Sequence, residues 1–297
     1  MTTAALFLVL SSALFHATWN LLLKRSEHKA VFLWSFTAVS FVVFLTPAIV
    51  FIAIDGLTWT GVLFGLGSAA IHGCYGLALS RTYELGDLSS AYPVARGMGV
   101  TLIPIAGVAI LGEDVSVAAG AGIGLVIAGI YAVQVQPRSL GDLLQPARAL
   151  ALPSSRVALL TGGIIATYSL WDKAALDHIS PVILNQFNMI GYLIMLLPLA
   201  MHGQSQRLRP SLEGLRGEWR AHGKGIVAAG VLAPLAYVLV LVALTTSQVS
   251  YIGPAREVGI VLGAVLGVVF LKEGFGASRI SGSLLVVAGV LTLGLAP

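Results

Sequence analysis

Cysteine and charge are both scarce in this chain of 297 residues: Cys74 stands alone, and only 10% of residues are charged. One cysteine excludes an intrachain disulfide and leaves the redox compartment unread. Charge this sparse, against about a quarter in an ordinary soluble domain, excludes a soluble fold. The net charge of +4 does not point to nucleic acid. Its basic residues sit in short connections between apolar stretches, where membrane topology accounts for them. Phosphate loops, nucleophile elbows and metal-site spacings are missing too, so neither a cofactor nor a metal is expected. The start, Met1-Thr2-Thr3, lacks the basic region of a signal peptide, and no A-x-A-like site follows the first apolar run. Ala4–Leu23 therefore reads as a retained first helix.

What fills the chain is apolar: 57% of residues are hydrophobic, in runs on the order of 20 residues, long enough to cross a bilayer as helices. Ten spans follow: 4–23, 30–54, 59–80, 88–111, 116–136, 157–176, 181–201, 225–246, 250–271 and 277–295. Helices are the only open option, because backbone groups in lipid must be satisfied internally. The two longest connections, 137–156 and 202–224, are too short to bury cores of their own. One membrane domain is expected, with 1–136 and 157–297 as halves and 137–156 as linker.

The halves repeat one another. Residues 91–130 align with 251–290 at a shift of 160, with 13 identities in 40 positions, among them Arg96/Arg256 and Glu113/Glu273. Ala17–Lys24 lines up more faintly with Ala166–Lys173. Five spans per half is an odd number, so the halves should lie in opposite orientations. Odd-numbered connections carry fourteen Lys and Arg, from Lys24, Arg25 and Lys29 to Lys272 and Arg279, and the even ones carry Lys173 alone. Positive charge stays on the cytoplasmic side, which puts both termini outside. Basic loops change phase between the halves, as inversion requires. An all-α integral membrane fold, an inverted five-plus-five repeat around a central cavity, is the expectation.

Pro93-Val94-Ala95-Arg96 and Pro254-Ala255-Arg256-Glu257 open the fourth span of each half. Leu111-Gly112-Glu113 and Leu271-Lys272-Glu273 close it, before a Gly-rich fifth span. With this pattern the whole chain resembles the drug/metabolite transporter superfamily and is similar to its EamA-type branch. The resemblance implies a ten-helix basket with a central cavity, alternating access, and export of amino acids or other metabolites from bacteria. Small multidrug members of the superfamily carry a membrane Glu in the first helix. Here that helix offers His16, Trp19 and Asn20 and no carboxylate, which argues against a lipophilic-cation substrate.

Ionisable groups inside spans are costly and mark candidate sites. Arg96 and Arg256 lie roughly two turns into the fourth and ninth spans. They suit bidentate capture of a carboxylate or phosphate, or else each pairs internally and fixes packing. Glu257 follows Arg256 but diverges from it on a helix by about 100°. Asp172 and Lys173 sit near the outer end of the sixth span. They form a gate or proton-linked pair on one reading; on the other, which is favoured, they are helix-end charges reaching the interface. His16 and His72 relay protons or make a packing bond; neither has a metal-site partner at i+4. Glu113 and Glu273 fit loop contacts or caps.

Trp19, Asn20, His72, Tyr75, Tyr168, Asn185, Asn188 and Tyr237 supply rings and amides within or near the spans. Polar groups at depth must face protein or water. A small zwitterion suits such a cavity. Substrate binding is therefore expected at Trp19, Asn20, His72, Tyr75, Arg96, Tyr168, Asn185, Tyr237 and Arg256. Gating or coupling is expected at His16, Asp172, Lys173 and Glu257. Pro47, Pro93, Pro104, Pro234 and Pro254 mark kinks or hinges. Gly120-x-x-x-Gly124 and Gly263-x-x-x-Gly267 mark close packing. The expected partners are a small-molecule substrate and the bilayer, with the chain acting as a monomer in a bacterial inner membrane. The alternatives are a carrier of anions such as sugar phosphates, or an integral membrane lipid enzyme.

Overall fold

A computed structural model describes residues 1–85, 88–134, 153–202, 212–271 and 277–296; side chains at 80–96, 134–155, 158, 202–213 and 271–277 fall outside that description. The described residues form helices α1 (Thr3–Arg25), α2 (Lys29–Asp55), α3 (Trp59–Leu85), α4 (Leu88–Leu111) and α5 (Val117–Gln134). The second half follows as α6 (Pro153–Ala175), α7 (Pro181–His202), α8 (Leu212–Thr246), α9 (Val249–Ala255), α10 (Val258–Leu271) and α11 (Ala277–Leu295). Among the described residues seven helices, with α9 and α10 taken as one, are long and apolar enough to cross a membrane. Helix α6 is not among them. It carries Thr161, Thr167, Tyr168, Ser169, Asp172 and Lys173, and much of that polar surface turns inward. Large apolar side chains stand on the outside instead: Phe7, Ile54, Trp59 and Ile110 are about 70% exposed or more, and Val117 is 92% exposed. A soluble chain does not leave such a surface in water. This is a multi-pass membrane protein.

Helix ends follow local chemistry. Thr2 caps α1 by accepting the Ala5 N–H at 3.1 Å, and Lys24 and Arg25 in its last turn complement the helix dipole. Helix α8 begins well before the expected boundary, so half of the supposed 202–224 connection is helix. That extension docks on α2. Buried Glu218 accepts the His28 N–H at 3.3 Å, and the Trp219 indole donates to Ser35 Oγ at 3.2 Å.

The ninth span, expected as one helix over 250–271, is broken into α9 and α10 at Arg256–Glu257. Pro254 has no N–H to give its own turn. The break runs on tighter i→i+3 bonds, from the Glu257 N–H to the Pro254 carbonyl at 3.0 Å and from the Gly259 N–H to the Arg256 carbonyl at 3.1 Å. Arg256 is thus held at the joint between two helical pieces.

The packing partners form a pattern. Helix α1 lies on α8, and α6 on α3. Helix α4 lies on α6, and α9 with α10 on α1; α2 lies on α8, and α7 on α3; α2 meets α7, and α5 meets α11. Exchanging α1–α5 for α6–α11 turns every one of these contacts into another of them or into itself. At the α5–α11 seam, a Cβ on Gly129 would stand 2.7 Å from the Gly282 carbonyl oxygen, and one on Gly289 2.6 Å from that of Gly122. Three of the four glycines singled out from sequence do not pack closely, and the fourth, Gly267, is buried. Gly120, Gly124 and Gly263 have open space where a Cβ would go, because they face away from the seam.

Candidate functional site

Three helices each present an i, i+4 pair to a common centre: Ser68 and His72 on α3, Tyr168 and Asp172 on α6, Asn188 and Tyr192 on α7. Such pairs share one helix face. Tyr237 on α8 completes the ring. Asp172 is fully buried, and a buried carboxylate needs donors. It has three neighbours. Tyr237 donates its hydroxyl to Oδ2 at 2.5 Å, His72 Nε2 lies 2.9 Å from the same oxygen, and the Ser68 hydroxyl donates to Oδ1. His72 Nδ1 meets the Tyr192 hydroxyl at 3.2 Å. Ser68 Oγ also stands 2.6 Å from the amide of Asn188. Ser68 has one proton, already directed to Asp172, so the Asn188 amide is satisfied there by presenting its NH2.

In front of this centre lies a cavity of about 190 Å³. His72, Asn188, Tyr192 and Tyr237 form its inner wall, whereas Asp172 and Ser68 lie behind that wall. The sides are aromatic: Trp19, Phe36, Tyr75 and Tyr168. The His72 ring lies 4.4 Å from Tyr168 between centroids, and Tyr75 meets Tyr168 edge-on at 5.5 Å. Arg256 sets its guanidinium over the Tyr237 ring, 5.6 Å from the centroid. Towards the other end the lining runs to Asn20, Lys29, Leu79 and Leu196, near the ends of α1, α3 and α7 and the start of α2. The cavity is therefore graded, from polar and aromatic at its floor to a mouth beside Lys29.

Behind the floor the helix ends are tied together. Glu113, in the turn after α4, accepts the Val249 N–H at 2.7 Å, the Ser250 N–H at 2.9 Å and the Ser250 hydroxyl at 2.5 Å. One carboxylate caps the start of α9, as its position at a helix end suggests. Lys173 donates to the Leu244 and Ser247 carbonyls at 2.5 and 3.1 Å. It fills the orphan carbonyls at the C-terminus of α8, where a cation is favoured.

Residues 155–295 match the EamA-like transporter family. The second half of this chain is an EamA-like transporter repeat. No curated protein matches the sequence. A solved crystal structure of a protein has the same fold over 98% of this chain and 96% of the other, with a TM-score of 0.74 at 15% identity. The family match over residues 155–295 is consistent with the drug/metabolite transporter superfamily and supports a membrane transporter, whereas the solved structure shows the fold alone.

Within this architecture the sequence candidates divide by place. Trp19, Asn20, His72, Tyr75, Tyr168, Tyr237 and Arg256 line the cavity, and so does His16, which meets Trp19 edge-on at 5.0 Å. Asn185 does not line it. It is fully buried on α7, one turn from Asn188, and neither polar atom of its amide has a partner. The Arg96 side chain lies outside the described residues, as does Glu273. Glu257 is buried at a smaller pocket behind the cavity, between α4, α6 and α9, beside Val100, Ile103 and Gly253.

Asp172 departs from the favoured expectation. It does not reach the interface, because the end of α6 is tucked among α3, α7 and α8. Lys173 on the next position points elsewhere and serves α8, so the two do not form a pair. Ser68 and Tyr192 were not among the sequence candidates. Their signal was spacing, since each stands one turn from a residue already singled out. Among the described residues no group of three His, Cys, Asp or Glu could hold a metal.

Proposed function

We propose that this chain is a secondary transporter, not an enzyme, that exports small polar metabolites, amino acids foremost, from a bacterial cell. In this reading two five-helix halves, 1–136 and 157–297 joined by 137–156, lie inverted in the inner membrane. They expose one cavity to each side in turn. The self-exchanging pattern of helix contacts and the Gly129–Gly282 and Gly122–Gly289 seam support two equivalent halves. Their inversion is supported by the odd number of spans in each half and by the change of phase in the basic loops. The excess of Lys and Arg in odd-numbered connections supports a cytoplasmic mouth beside Lys29, with both termini outside. The protein then faces inward, its outer end held shut by Glu113 on α9. One copy suffices for this cavity, so the carrier acts as a monomer.

The observation that carries the substrate class is the floor of the cavity. Arg256 offers a fixed cation at one edge. Tyr192 and His72, in front of the Asp172 carboxylate, offer an electronegative edge at the other, and Tyr75, Tyr168 and Trp19 form the walls. A zwitterion with its carboxylate on Arg256 and its ammonium towards Tyr192 satisfies both ends. Aromatic walls accept the side chain. Trp19, Asn20, His72, Tyr75, Tyr168, Tyr237 and Arg256 then bind substrate. The second reading, anions such as sugar phosphates, draws on Arg256 and Lys29 together at one cavity. Uptake of labelled compounds into proteoliposomes separates them. Amino acids should enter and exchange, and phosphorylated sugars should not; the reverse result installs the anion reading.

A further inference from the structure

We propose that His72 and Asp172 form a proton-binding site wired to the cavity through Tyr192, and that substrate leaves in exchange for a proton. This rests on the transporter reading above and adds the coupling ion.

The hydrogen-bond geometry carries the inference, because it closes in two arrangements that differ by one proton. In the first, Asp172 is a carboxylate accepting from Ser68, Tyr237 and His72 Nε2–H. Neutral His72 then accepts the Tyr192 hydroxyl proton on Nδ1, at 3.2 Å. In the second, Tyr192 passes its proton to Nδ1 and takes a replacement from cavity water. His72 is now doubly protonated, donating Nε2–H to Asp172 at 2.9 Å and Nδ1–H to the Tyr192 oxygen. One proton has entered and no heavy atom has moved. The pair changes from a net charge of −1 to zero.

Burial makes the change consequential. Asp172 is fully buried and His72 is 3% exposed, and His72 lines the cavity, so the proton is exchanged through the cavity wall. The surrounding groups leave this route open. Helix α3 presents Ser68 and Tyr75, α6 presents Tyr168, α7 presents Asn188 and Tyr192, α8 presents Tyr237, and α1 presents His16 across the cavity. Arg256 lies beyond the Tyr237 ring. Lys173 faces away, and the Arg96 side chain on α4 lies outside the described residues. Asp172 is the one carboxylate in contact with His72 among these neighbours.

Tyr192 makes the proton visible to substrate. Without the added proton, its hydroxyl is committed to His72, and its lone pairs, backed by the anionic pair, face the cavity and suit an ammonium. With the proton, the Tyr192 hydrogen turns outwards and repels that ammonium. Proton and substrate therefore exclude one another. A cell with a proton gradient directed inwards drives the substrate out.

Two measurements test this on the full chain. Proteoliposomes holding a pH-sensitive dye are given an equimolar mixture of the protein amino acids. Amino-acid movement should carry protons the opposite way, and the proton signal should be lost in Asp172→Asn and in His72→Gln. Amino-acid movement without proton movement overturns the proton site and leaves the substrate reading standing. If no amino acid moves, the substrate reading fails, and the site is judged by nitrogen resonances of labelled histidine in the purified protein. The signal that vanishes in His72→Gln should pass from the Nε2–H tautomer to the doubly protonated ring as pH falls, and Tyr192→Phe should alter that passage. A ring locked in one tautomer while the protein stays folded overturns the proposal.

Discussion

Gly129 on α5 faces the backbone of Gly282 on α11, and their repeat mates Gly289 and Gly122 face each other in the same way. A Cβ at any of the four would stand 2.6–3.0 Å from a carbonyl oxygen across the seam. Close approach of two backbones is how membrane helices gain contact when lipid removes the hydrophobic drive.

Gly129→Leu should therefore push the seam apart and destabilise the bundle by about 1–3 kcal/mol, as overpacking does elsewhere. Thermal unfolding in detergent reads this as a lower Tm. Gly124→Ala, on the same helix with open space, should not lower it. Equal losses in both variants would mean that the seam is not where the halves hold together.

Glu113 satisfies two backbone N–H groups and a hydroxyl at the start of α9. Glu113→Gln replaces one acceptor by a donor facing an N–H, at a cost of about 1–3 kcal/mol per group left unmatched. Because that clasp lies behind the cavity floor, the variant should also open the far side more often. Reactivity of a cysteine placed at Ile103 would rise with it, and unchanged reactivity would reduce Glu113 to a static cap.

Lys173→Met removes two charge-assisted bonds from the end of α8, each worth roughly 1.5–3 kcal/mol at most. Its Tm should fall, and Lys173→Arg should recover part of the loss. A full loss of transport at normal Tm would restore Lys173 to the gate.

Arg256→Lys keeps the charge but gives up the planar fork and the stacking over Tyr237. KM for carboxylate-bearing substrates should rise about tenfold or more, since the two cations are not interchangeable at such sites. Folded yield should change little. Equal losses of transport and yield would return Arg256 to a packing role.

The helices were legible because lipid leaves the backbone one solution and about twenty apolar residues mark it. Nine of the ten expected segments coincide with an unbroken helix, and among the described residues seven helices are long and apolar enough to cross a membrane. The interruption at Arg256–Glu257 was signalled only by Pro254, which by itself distinguishes a bend from a break poorly. Much of the cavity lining was legible too, since Trp19, Tyr75 and Tyr237 are too polar for the lipid side of deep helices. Asp172 was harder. A carboxylate next to a lysine near a helix end has the form of an interface pair, and nothing local reveals that the two side chains leave the helix in different directions. Ser68 and Tyr192 became legible only once their helices were seen to converge. Asn185 went the other way: an amide at depth suggested substrate, yet it points into protein.

Alternating access needs a cavity that faces one side at a time, and labelling tests that directly. In a Cys74→Ser background, a membrane-impermeant maleimide should modify Leu79→Cys, at the mouth, from the cytoplasmic side. Ile103→Cys, 3% exposed at the native isoleucine, should react from outside only while substrate is being turned over. Persistent silence at 103 from outside, with transport running, would contradict the two-sided cavity.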